Sequence, residues 1–215
     1  MATPTDILTL GQWFSPAFPV GAFAYSHGLE RSIDQGQVRT ADDVQDWLDT
    51  VLHHGSVWND TVLLASAYRA ETPEELIMID ATCRALAASR ERLMESDLQG
   101  SAFCAAVRDV WPVDLSDLTY PVAVGRAARL MDLPLELTAQ MYVQAFVSNL
   151  AAAAVRLVPL GQTDGQRIVK HLTPACRDIA AKAVQADADD LRACSYVTDI
   201  AAMNHETQYS RIFRT

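Results

Sequence analysis

The stretch Leu133–Leu160, LPLELTAQMYVQAFVSNLAAAAVRLVPL, decides the fold. Pro134 suits the start of a helix and Pro159 its end. Between them Tyr142, Phe146 and Leu150 recur every four residues, followed by small alanines from Ala151 to Ala154. A run this apolar reads either as a membrane span or as a helix packed on most sides. Glu136, Gln140, Gln144, Ser148, Asn149 and Arg156 interrupt it, so no segment reaches the ~18 apolar residues that a bilayer crossing needs. A helix without a clear polar face belongs inside a bundle or at a subunit interface. The expectation is a long buried central helix.

Helical signals extend outward from it. Thr40 before Asp42 and Asp43 marks a helix start, and Val44, Trp47, Leu48, Val51 and Leu52 share one face behind it. Gly55 interrupts, and Val62 to Tyr68 is helical again. Thr72-Pro73-Glu74-Glu75 is a capping box with proline at the first helical position. Leu76, Ile79, Cys83 and Leu86 line the face that follows. The charged stretch Arg90 to Asp97 reads as a solvated face, and Trp111-Pro112 stops the element that carries Phe103, Val107 and Val110. Thr163 with Gln166 reads as a further capping box. Ile168, Leu172, Cys176 and Ile179 follow, with Pro174 expected to kink or split that helix. Asp187 to Asp190 is an acidic connector, and from about Leu191 the chain turns into a polar, basic tail. No period-two stretch is long enough for a sheet. The class is all-α, a single-domain helical bundle over 1–215, with a flexible C-terminal tail from about 203.

The 215 residues are enough for a real core, and the formal net charge is −10. A surface this acidic repels phosphate backbones and anionic lipid heads, which argues against nucleic-acid and membrane partners. Cys83, Cys104, Cys176 and Cys194 form no Cys-x-x-Cys pair and read as reduced thiols, most of them buried, in a cytoplasmic protein. Met1 to Leu10 has no basic region followed by an apolar stretch, so no signal peptide is expected there.

Signatures of catalysis are missing from the sequence: there is no P-loop, no Gly-x-Gly-x-x-Gly, no Gly-x-Ser-x-Gly and no His-Glu-x-x-His. Ser26 and His27 are adjacent, and neighbouring helical residues point about 100° apart, so they do not make a nucleophile–base pair. His53-His54 and His205-Glu206 are weak metal candidates, because a site needs three or more converging ligands. Two segments fit a bland reading poorly. Ser15 to Glu30 has two prolines, then Gly21 at a turn into a helix expected to carry Phe23, Tyr25, His27 and Glu30. His205 to Thr215 places Tyr209, Arg211, Ile212, Phe213 and Arg214 in its last seven residues. Aromatic and arginine side chains are the usual anchors of a protein interface. Such a segment is either docked on its own bundle or loose until a partner orders it.

These two segments carry a resemblance. Pro19-Val20-Gly21 with Tyr25-Ser26-His27-Gly28-Leu29-Glu30 resembles the N-terminal signature of the UreF family, and His205 to Arg214 resembles its C-terminal one. Arg156-Leu157-Val158-Pro159-Leu160-Gly161-Gln162 resembles the segment that closes that family's long helix. The three lie in the right order across almost the whole chain. Ala22, Ala24 and Thr215 depart from the usual Gly, Ser and Ser. The resemblance implies an all-α homodimer without a cofactor of its own, and not an enzyme. It implies binding to UreD (UreH in some organisms) and recruitment of the GTPase UreG, the partner proteins handling nickel and GTP during nickel insertion into apo-urease. By position it implies contacts to UreD through Tyr209, Arg211, Phe213 and Arg214, with His205 and Glu206 in the same signature. It places Arg156 and Gln162 near UreG, and Pro19, Gly21, Tyr25, His27 and Glu30 at the dimer or partner surface.

Two rivals remain at the sequence level. One is a GTPase-activating protein that supplies Arg156 to UreG in trans. The other is a nickel-binding chaperone, which 5 scattered histidines and 4 scattered cysteines support poorly.

Overall fold

The computed structural model describes residues 2–192 and 195–215, and among these every regular element is helical. The chain runs through α1 (Pro4–Trp13), α2 (Leu29–Asp34), α3 (Ala41–His54), α4 (Ser56–Arg69), α5 (Pro73–Ala85), α6 (Arg90–Val110), α7 (Tyr120–Leu130), α8 (Leu135–Leu157), α9 (Gln162–Ala183) and α10 (Tyr196–His205). Single 3₁₀ turns cover Ala22–Ala24 and Ala188–Asp190.

Local chemistry sets several of these boundaries as expected. Thr40 and Thr72 cap α3 and α5, and Asp43 and Glu75 reach back to the cap amides. Gly55 separates α3 from α4. The start of α9 differs from expectation. Its cap is Gly161, whose N–H donates to the Asp164 carboxylate at 3.3 Å, and not Thr163 with Gln166. The helix also continues through Pro174 instead of splitting there; Pro174 sits on the exposed side.

Packing changes which helix is innermost. α4 packs on α3, α5, α7, α8 and α9, and buries Val57, Trp58, Val62, Leu63, Leu64, Ala65 and Ala67. The long α8 pairs mainly with α9, and keeps Glu136, Ser148, Ala152 and Arg156 exposed. Its alanines look featureless in sequence, yet Ala151, Ala153 and Ala154 face inward while Ala152 faces out. Cys83, Cys104 and Cys176 are free and buried; Cys194 lies outside the described residues.

α4 and α7 approach closely at Gly125. A Cβ there would lie 2.0 Å from the Leu64 carbonyl oxygen, so only a hydrogen fits. Gly125→Ala is therefore expected to force the two helices apart and cost at least about 2 kcal/mol. In thermal melts followed by circular dichroism this lowers Tm by about 4–8 °C for a chain of this size.

Candidate partner-binding site

The two unusual segments of the sequence meet in space. Gly21 has φ 72°, and the turn Ala22–Ala24 is followed by extended Tyr25. His27 and Gly28 both lie in the left-handed region, at φ 57° and 81°, so helix formation begins only at Leu29. Phe23, Tyr25 and His27 are therefore on a folded loop and not on the expected helix. Gly28 is required here, because a Cβ would come 2.7 Å from the Ala202 amide nitrogen of α10.

Residues 205–215 lie along this loop. The Glu30 carboxylate accepts the Ile212 N–H at 2.7 Å and the Phe213 N–H at 3.0 Å, and meets His205 Nε2 at 3.0 Å. His205 Nδ1 meets Glu91 at 2.7 Å, and Arg211 reaches the other Glu91 oxygen at 2.5 Å. The Arg214 N–H donates to Ala24 O at 2.8 Å, and the Ser26 N–H donates to Thr215 O at 3.0 Å. The Glu206 carboxylate accepts the Arg90 N–H at 2.8 Å, adding a cap to α6 beside Ser89. Phe213 is 3% exposed, and the Arg156 guanidinium lies 4.5 Å from its ring centroid while donating to Phe23 O at 3.0 Å.

The structure thus brings most of the expected site residues together but turns many of them inward. Tyr25, Glu30, His205 and Phe213 are buried within the chain, and the His27 side chain is 9% exposed. Burial pushes the Tyr25 phenol up, against the opposing pull of Arg214. Tyr209, Arg211, Arg214, Arg156, Gln162 and Pro19 remain exposed, and Glu206 and Gly21 are half-buried. The expected metal candidates do not converge. The His53 and His54 rings sit 6.2 Å apart, and both nitrogens of His205 are taken by carboxylates. Among the described residues no group of three or more His, Cys, Asp or Glu is placed to hold a metal ion.

The charged stretch Arg90 to Asp97 is not a solvated face. The first turns of α6 point Glu91, Arg92 and Glu95 at the docked segment, and Glu95 is 3% exposed. Burial would raise the Glu95 carboxyl, but Arg92 and His27 outweigh it and hold it at about 2. Burial and the neighbouring Arg92 push the His27 imidazole below its ordinary value, against the pull of Glu95. A neutral ring then makes only one bond at Nδ1, accepting from Arg92 at 3.0 Å or donating to Glu95 at 3.1 Å. This cluster borders two cavities, of about 60 Å³ and 510 Å³, both lined by His27, Asp60 and Arg92. The larger is walled by Phe14, Met141 and Phe146.

The last helix also departs from the tail expected beyond Leu191. α10 runs from Tyr196 to His205 and packs on α2 and α6. It buries its small side, Thr198, Ala201, Ala202 and His205. Its large apolar residues face out: Tyr196 is 77% exposed, Val197 61%, Ile200 51% and Met203 49%.

Fold and geometry together define a class: an all-α protein in which a loop near the N-terminus and the segment 205–215 are tied together. Comparison with known proteins gives the family. A family model described as UreF matches residues 38–173. The chain is 58% identical to a urease accessory protein UreF of Ruegeria pomeroyi, with all of both chains covered. It is 54% identical to one of Roseobacter denitrificans over 97% of this chain and 93% of the relative. It is 45% identical to urease accessory protein UreF 1 of Brucella canis over 98% and 95%. The chain belongs to the UreF family of urease accessory proteins. Among the described residues no helix is long and apolar enough to cross a membrane.

Burial pushes the Asp60 carboxyl from 3.8 up to about 6, with Arg92 opposing. Between those values the folded chain keeps a proton that the unfolded chain releases, so this group makes stability fall as pH rises through that window. Asp60→Asn is expected to remove that slope and to raise stability at pH 7 by roughly 1–2 kcal/mol. Urea unfolding at pH 4, 5, 6 and 7 checks it; an unchanged slope would be the contrary result.

Proposed function

We propose that the chain is a coupling scaffold for urease maturation. It binds UreD (UreH) through the outer face of α10 and the segment 205–215, and brings UreG to the region of Arg156 and Gln162. Nickel and GTP are handled by the partners, and the chain itself performs no turnover. One observation carries this reading: α10 is inside-out. A helix folded only for its own bundle buries its large apolar residues. This one buries alanines and presents Tyr196, Val197, Ile200 and Met203 outward, and the segment that follows it in the chain leaves Tyr209, Arg211 and Ile212 exposed. That is the composition of an interface core with an arginine at hand. The family resemblance also implies a homodimer, for which the exposed Phe23 on the N-terminal loop is a candidate contact.

Coupling of this kind needs only different affinities for two states of the GTPase. A reading in which Arg156 enters the UreG site in trans requires it to leave both Phe23 O and the Phe213 ring, which makes a staple the better description of its role. Single-turnover GTP hydrolysis by UreG separates the two. Arg156→Ala is expected to weaken assembly and leave hydrolysis in the assembled fraction unchanged. Slowed hydrolysis with intact assembly would favour activation in trans.

The docking face is tested by Ile200→Asp combined with Met203→Asp. Both side chains are exposed, so the helical content and Tm are expected to stay within about 0.5 kcal/mol equivalent of the parent. Affinity for UreD is expected to fall at least about 100-fold, the loss of a hot-spot pair. Retained affinity in a titration of the purified proteins would exclude α10 as the docking helix.

A further inference from the structure

Glu95 lies in α6, outside all three segments that resemble family signatures, and the proposed partner surface does not include it. Its carboxylate has partners from three directions. Arg92 pairs with it along the helix, and the Gln99 amide donates to it at 3.0 Å. The Thr215 hydroxyl donates to it at 2.9 Å, and His27 Nδ1 lies 3.1 Å away. The partners outside α6 are thus one residue of the N-terminal loop and one of the C-terminal segment. Those two residues also approach each other directly, the His27 N–H lying 3.4 Å from Thr215 Oγ1, and the neighbouring Ser26 donates to Thr215 O through its N–H at 3.0 Å and through its hydroxyl.

Stability does not explain such a group. An ion cluster in a protein interior is typically matched or bettered by well-packed apolar side chains of the same volume. Its best-attested use is to select one arrangement among several, since each donor and acceptor is satisfied in only one geometry. Here that geometry brings together the ends of two segments far apart in the sequence. Glu30 fixes the segment at residues 205, 212 and 213, and leaves the path of Thr215 to another group.

We propose that Glu95 is a positioning residue: neutralised by Arg92, its carboxylate holds the Thr215 hydroxyl beside His27 and so fastens the end of the segment 205–215, beyond the Glu30 clamp, to the loop 24–27. The proposal deepens the reading of that segment as a partner surface, and rests on it only for its consequence in binding. Glu95 touches no outer face itself and acts through the residues that it holds.

Trypsin reads the docking directly. Arg211 lies in the segment and Arg177 on the outer side of α9, and both are exposed. The full chain and its Glu95→Gln variant are digested with dilute trypsin, and cleavage after each arginine is followed by mass spectrometry. Local opening speeds cleavage in the opened segment alone, whereas global loosening speeds both sites. The expected result is at least a tenfold rise in cleavage after Arg211 relative to Arg177, with unchanged helical circular dichroism. An unchanged ratio would overturn the proposal. Thr215→Val removes the hydroxyl without touching α6 and is the second variant should Glu95→Gln fail to fold. It is expected to raise the same ratio, and no rise there would also overturn the proposal. UreD titration of the same variants keeps the two readings apart. Faster cleavage with unchanged affinity sustains Glu95 as a positioning residue and removes the segment from the partner surface.

Discussion

The rest of the surface depends on one buried carboxylate. Glu30 is 5% exposed and is met by two backbone N–H groups and a histidine ring from a segment some 180 residues away. A charge removed from water is costly unless hydrogen bonds replace the water, and charged bonds to backbone N–H groups are among the stronger ones. The clamp therefore works in both directions. The C-terminal segment satisfies Glu30, and Glu30 fixes where Phe213 inserts and where Tyr209 and Arg211 emerge. Phe213 adds apolar burial worth about 2 kcal/mol, and Arg156 closes over its ring.

Much of the bundle was legible in the sequence, because its starts are chemical. Thr40 and Thr72 announce their helices through residues three positions ahead, and that signal is local. The relative burial of the helices is not legible, because the uniform alanines of α8 hide which side is covered; α4, with polar Asn59 and Thr61 among its buried residues, reads as less apolar and is buried more completely. α10 was missed for a related reason. Its inner face is Thr, Ala, Ala and His and its outer face is apolar, so the pattern that marks a helix in a bundle is inverted.

The site was legible in parts. Composition singled out both segments, and aromatic and arginine content pointed to contact with other proteins. It did not show that the first contact of those segments is with each other. Tyr25, Glu30, His205 and Phe213 read as anchors for a partner, and within the chain they are buried, with His205 and Phe213 both bonded to Glu30. Glu91, Arg92 and Glu95 read as a solvated stripe, because charges at helical spacing carry no mark of what faces them. Only the spacing of Glu91 and Glu95, one turn apart on α6, hinted that they share a target.

The two segments are tied to each other through Glu30, Ser26 and Ala24, so the surface they display is one unit. The central claim is that this surface is already formed in the chain by itself. Amide hydrogen exchange of the isolated protein at neutral pH, resolved at Ile212 and Phe213, tests it most directly. The account predicts that both amides are protected well beyond those of Tyr209 and Ser210, whose N–H groups have no hydrogen-bond acceptor among the described residues. Exchange at Ile212 and Phe213 as fast as in an unstructured peptide would contradict it.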